Sequence, residues 1–159
     1  MVETTSGEPP VRPVVVEVVV LRAVPQDGLA YRWVRGGLLP DEDPVRAVRR
    51  LAGAGGWVHS TSWRYTGEGH VVLTFAMAPE PEEWRPAKPL AGVEIARGAA
   101  PDRPAPDVIS TEQVAAHAVR HLAFLAAHDP EAMGFLAGHP SMARALEAWP
   151  GDVACRLIG

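Results

Sequence analysis

The sequence predicts one α+β domain, a mixed β-sheet sandwiched between helices with a helical C-terminal segment. Three observations carry that expectation. The run Pro13 to Val24, PVVVEVVVLRAV, is rich in β-branched residues that suit a pleated surface. Asp43 followed by Pro44 supplies an N-cap acceptor and a proline whose missing N–H costs nothing in a first helical turn. Ser110 with Gln113 three residues on makes a capping box ahead of an apolar repeat at helical spacing. Strands then a helix, followed by strands then helices, is the order of a mixed α+β domain.

The elements follow in turn. Residues 1–10 hold almost nothing to bury and are expected to be a disordered lead-in, with a single domain over residues 11–159. A chain of 159 residues with 47% hydrophobic content fits one core. The Pro25-Gln26-Asp27-Gly28 turn links the first strand to a second from Leu29 to Arg35. The helix begun by Pro44 runs to about Ala52 and buries Val45, Val48, Leu51 and Ala52, with Gly53, Gly55 and Gly56 ending it. Trp57 to Thr66 and Gly69 to Ala78 read as a second hairpin around a Thr-Gly-Glu-Gly turn, with Val71, Leu73, Phe75 and Met77 on one face. Pro79 to Pro89 is expected to be a surface connection, Ala91 to Ala96 a short strand, and 98–108 a linker, so that 11–97 is strand-rich and 109–159 helical. The capping-box helix continues to about His128 through Val114, Ala118, Leu122 and Leu125. Asp129-Pro130 starts a short helix that Gly138 stops, and Ser141 to Trp149 makes another.

A net charge of −4 and a pI near 5.8 give no basic field for extended nucleic acid or an anionic lipid surface. The single Cys155 cannot form an internal disulfide and reads as a small hydrophobe. No charged-then-apolar leader and no apolar run of about 20 residues is present, so no membrane association and a cytoplasmic location are expected.

Gly36 to Trp57, GGLLPDEDPVRAVRRLAGAGGW, has the layout of a phosphate-processing loop and helix. Gly36-Gly37, Glu42 and the frame Arg49-x-Leu51-x-x-x-x-Gly56-Trp57 resemble the signature of the Nudix family, and the resemblance spans roughly residues 13–97. It implies a Nudix-like sandwich in which a divalent cation, held by glutamates of this helix, assists hydrolysis of a diphosphate. The chain departs from the pattern where that chemistry lives. Arg50 stands in place of the first helix glutamate, Gly53 and Ala54 in place of the paired ones, and the interval from the glycines to the arginine is two residues short. No catalytic residue, metal ligand or cofactor is therefore assigned.

Two other features are candidates for binding. Arg46, Arg49 and Arg50 fall at i, i+3 and i+4 on one helix face, where guanidinium groups grip a phosphate directly; a solvated face beside Asp41, Glu42 and Asp43 is the plainer alternative. Strict alternation over Trp57 to Tyr65 places Trp57, His59, Thr61, Trp63 and Tyr65 on one face, suited to stacking a flat ligand that Thr61 orients, with Ser60, Ser62 and Arg64 on the other. Adjacent strand residues point to opposite faces, so His59 does not serve Ser60 as a base, and no Gly-x-Ser-x-Gly elbow occurs. His117 and His121 have the i, i+4 spacing of the HExxH zinc helix, but Ala118 stands where its glutamate would be.

The expected function is that of a non-catalytic or diverged Nudix-like protein binding a small phosphorylated or nucleotide-like ligand through Arg46, Arg49, Arg50, His59, Thr61, Trp63 and Tyr65. A second reading makes the C-terminal helices, with His117, His121, Phe124, Phe135 and Trp149, a homodimer or partner surface. A third is an active hydrolase whose metal site is rebuilt from Glu68, Glu80, Glu82 or Glu83.

Overall fold

The computed structural model describes residues 13–26, 28–90 and 110–149. The expected lead-in, the strand at 91–96, the linker at 98–108 and Cys155 lie outside them. A five-stranded mixed sheet is built from β1 (Val14–Val24), β2 (Gly28–Gly37), β3 (Trp57–Tyr65), β4 (Val71–Ala78) and the short β5 (Lys88–Pro89), in the order β3-β4-β1-β2-β5. β1 pairs antiparallel with β2 and parallel with β4, and β3 and β5 close the two sides by antiparallel pairing. Helix α1 (Pro44–Ala52) follows β2, and α2 (Thr111–His128), α3 (Pro130–Ala137) and α4 (Pro140–Glu147) follow the sheet.

β1 lies in the middle, which explains its composition: a strand covered on both faces reads as a continuous valine run. Val16, Val18 and Val20 pack under α1 with Ala47, Val48, Ala52, Phe75 and Met77. Val19 and Leu21 face the other way, into a larger core with Val119, Leu122, Leu136 and Leu146 of the C-terminal helices. The helix starts match the sequence chemistry. The Asp43 carboxylate accepts from the Val45 and Arg46 amides, Ser110 and Gln113 cap reciprocally, and Asp129 accepts from the Ala132 amide at 3.0 Å.

Several local expectations are corrected. Val45 is exposed, and Ala47 takes its place in the α1 core. Gly36 and Gly37 end β2 as strand residues opposite Val16 and Val15, not as a loop. A Cβ on Gly36 would lie 2.6 Å from Leu51 Cδ2, so this glycine serves close packing of α1 on the sheet. A Cβ on Gly37 would meet nothing within 4 Å. The segment after β4 is more than a surface connection, because Glu80 is 4% exposed and its carboxylate takes Arg32 Nε at 3.0 Å and Nη2 at 2.7 Å.

The largest correction concerns β3. A bulge between Ser60 and Ser62 makes Thr61 an extra residue, so alternation breaks there. Trp57 and His59 lie opposite Ala78 and Ala76, on the face covered by α2 and α3. Trp63 and Tyr65 lie opposite Leu73 and Val71, on the α1 side. Ser62 and Arg64 thereby move to the face where Thr74 and Glu17 reside.

That shift delivers Arg64 to Glu17, a carboxylate with 0% exposure in the valine run. Arg64 Nη1 and Nη2 both donate to it, the second at 3.0 Å, while Thr74 Oγ1 donates at 2.6 Å and Trp33 Nε1 at 3.3 Å. Removing one partner of such a pair leaves a buried charge and costs about 3–5 kcal/mol. Arg64→Met is expected to destabilise by that amount in urea titrations, and Glu17→Leu combined with Arg64→Met by less than the sum of the two single changes. Additivity would show that the pair is not coupled.

Candidate functional site

The arginine face of α1 is largely committed to holding its own surroundings. Arg50 donates to both oxygens of Glu42, at 2.9 and 2.8 Å, and to the Gly37 carbonyl at 2.9 Å. Glu42 also accepts from the Leu39 amide at 3.1 Å, so the loop from β2 to α1 is laced by one carboxylate. Arg49 turns to the carbonyls of Gly55 and Gly56, the latter at 3.2 Å, and closes the glycine turn after the helix. Arg46 is exposed to solvent. Arg49 and Arg50 are thus each bonded within the segments that flank α1.

The acidic groups are similarly engaged. Glu17 belongs to Arg64, Glu42 to Arg50, Glu80 to Arg32, and Glu82 to Arg85 at 2.8 Å. Arg32 also reaches the Ala52 carbonyl at 3.0 Å, so Glu80 fixes β2 to the last turn of α1. The Glu80 bonds hold the Arg32 guanidinium above its ordinary pKa. Glu68 is exposed, with His70 at 3.9 Å. Among the described residues no three His, Cys, Asp or Glu side chains are grouped to hold a metal ion.

The aromatic candidates on β3 divide between the two faces. Trp63 and Tyr65 are 64% and 60% exposed and meet edge to face, with ring centres 5.4 Å apart. Their face of the sheet is also the one on which α1 and Arg46 sit. His59 and Thr61 are not part of this platform. The Thr61 hydroxyl donates to the Thr74 carbonyl at 3.3 Å within the bulge.

On the other face a line of rings binds β3 to the helices. His121 of α2 meets His59, His59 packs beside Trp57 at 5.6 Å, Trp57 stacks on Phe135 at 5.5 Å, and Phe135 on His139 at 4.3 Å. Burial pushes the pKa of both His117 and His121 down; the Thr61 carbonyl partly restores that of His117, and the His59 and His117 charges lower that of His121 further. The His121 ring thus meets His59 of β3, a residue 62 positions away.

A cavity of about 540 Å³ opens between α2, α3 and α4, walled by Ala123, Ala126, Met133, Leu136, Ala143 and Trp149. Among the described residues no helix is long and apolar enough to cross a membrane.

Sequence reasoning missed Glu17, Arg32 and Thr74, and the pairings of Arg64 and Glu80, which it had named only on a strand face and among candidate metal ligands. One visible signal was the lone glutamate among valines, which needs a buried partner once the strand is central. Arg64 and Glu80 carried none, since their partners lie 47 and 48 residues away.

The Arg50 bonds hold the Glu42 carboxyl well below its ordinary value of 4.5, at about 2, against the opposing effect of burial. A carboxyl depressed in the fold stabilises it fully above the unfolded value, and that contribution fades as pH falls from about 4.5 through about 2. In an NMR pH titration the Glu42 side chain is expected to ionise near 2, and Arg50→Ala to return its midpoint towards 4.5. An ordinary midpoint in the unaltered protein would contradict the pairing. In comparisons with known proteins, the chain matches no family model and no curated protein.

Proposed function

We propose that this chain is a non-catalytic, diverged Nudix-like protein that binds a small nucleotide-like ligand. The observation that carries the reading is the engagement of carboxylates: Glu17, Glu42, Glu80 and Glu82 each face an arginine, and among the described residues no three acidic side chains are grouped to hold a magnesium ion. The side chains exposed on that side of the sheet include aromatic and cationic ones. Trp63 and Tyr65 present large rings on a strand, where the flat face of a base stacks, and Arg46 supplies an exposed positive charge on the same side.

This narrows the ligand-binding set. Arg49 and Arg50 shape the loop and turn, and His59 and Thr61 belong to the opposite face or the bulge. Ligand affinity then arises from stacking and direct charge, without a bridging cation.

The second reading, an interaction surface on the C-terminal helices, is favoured by the apolar cavity among α2, α3 and α4 and by the exposure of Met133 beside it. A concentration-independent monomer in light scattering would remove self-association from that reading.

The main proposal is tested by titrating nucleoside mono- and diphosphates against tryptophan fluorescence, with magnesium and with chelator. Equal affinity in both conditions is expected. Trp63→Ala removes one stacked base contact, about 1–3 kcal/mol, and is expected to weaken binding by about 5- to 150-fold. Binding that needs magnesium, or that is unchanged in Trp63→Ala, would overturn the proposal.

A further inference from the structure

The two imidazoles that meet between β3 and α2 have no part in the proposed ligand platform, which lies on the other face of the sheet. Their nitrogens, His59 Nε2 and His121 Nε2, are 3.1 Å apart, while the ring centres are 5.1 Å apart and the planes incline by 26°. A ring-centre separation so much longer than the nitrogen separation means that the rings meet edge to edge, nitrogen towards nitrogen, and not face to face. In the neutral protein one nitrogen must carry a proton for the other to accept. The same convergence suits a shared cation, because two nitrogens bound to one tetrahedral ion at about 2.0–2.1 Å lie about 3.3 Å apart.

The surroundings fix both rings. His59 sits on a strand beside Trp57, which is itself stacked on Phe135 of α3, and His121 is on the middle of an 18-residue helix. Neither ring is fully buried, so an ion has a path from solvent. His117, one turn before His121, is held by the Thr61 backbone and is not part of a three-ligand group.

We infer that His59 and His121 form a two-ligand site for a borderline divalent transition cation, Zn²⁺, Ni²⁺ or Co²⁺, which clips the edge strand β3 to α2. Imidazole nitrogen selects these ions over Mg²⁺ and Ca²⁺, which require oxygen. Two protein ligands leave the remaining coordination positions to water.

The test is calorimetry on untagged protein with ZnCl₂ and with NiCl₂. One ion per chain is expected, with Mg²⁺ unable to compete. Loss of a direct ligand in His59→Gln or His121→Gln should cost at least the about 10- to 100-fold that even outer-shell partners cost, whereas His128→Gln and His139→Gln should leave affinity unchanged. No binding of either ion, unchanged affinity in His59→Gln, or loss in His117→Gln with retention in His59→Gln would each overturn the assignment. A measurement without substitution guards against variants that fail to fold. Paramagnetic Ni²⁺ should broaden the imidazole signals of His59 and His121 before those of His128 and His139, and uniform broadening of all four would equally refute the site.

Discussion

A carboxylate sits in the central strand of the sheet with no exposure to water, and the surrounding strands are arranged to satisfy it. Glu17 receives donors from β2, β3 and β4: Trp33, Arg64 and Thr74. Arg64 reaches it only because Thr61 is an extra residue that turns the end of β3 over. Without that bulge the guanidinium would lie on the α1 face and the charge in the core would stand alone, a state far more costly than the local disruption of a ladder. The same turn sends Trp63 and Tyr65 outward on the α1 side. A single inserted residue thus determines both the buried pair and the exposed aromatic platform.

The pairing of charge in this protein repeats one device. Arg32 with Glu80 and Arg64 with Glu17 tie segments 48 and 47 residues apart, and Arg50 with Glu42 closes the short connection from β2 to α1. Arg32 and Glu80 hold the exit of β4 against the end of α1, and Arg50 and Glu42 hold its entrance. Helix α1 is therefore clamped at both ends by arginine–carboxylate pairs. Bidentate guanidinium contacts occupy the carboxylate oxygens that a hard cation would use.

Much of the architecture was legible because it is written in short-range chemistry. The Asp43-Pro44, Ser110-Gln113 and Asp129-Pro130 signals act within one helical turn, and the β-branched run from Pro13 to Val24 marked a strand, though not that it is covered on both faces. Periodicity also placed Leu73, Phe75 and Met77 on one face of β4. The site was less legible. Alternation over Trp57 to Tyr65 was the natural expectation, and nothing local in Ser60-Thr61-Ser62 marks a bulge. The contact between His59 and His121 joins residues 62 apart and depends on where α2 crosses the sheet. The arginines were visible at helical spacing, yet the targets of Arg49 and Arg50, the carbonyls of Gly37, Gly55 and Gly56, are set by tertiary packing.

The account is tested most directly by assaying phosphate release from a panel of nucleoside diphosphates and their derivatives in Mg²⁺ and in Mn²⁺. Carboxylates engaged by Arg32, Arg50 and Arg64 should support no turnover above the protein-free blank. Metal-dependent release that disappears on changing Glu42→Gln or Glu80→Gln would contradict the account.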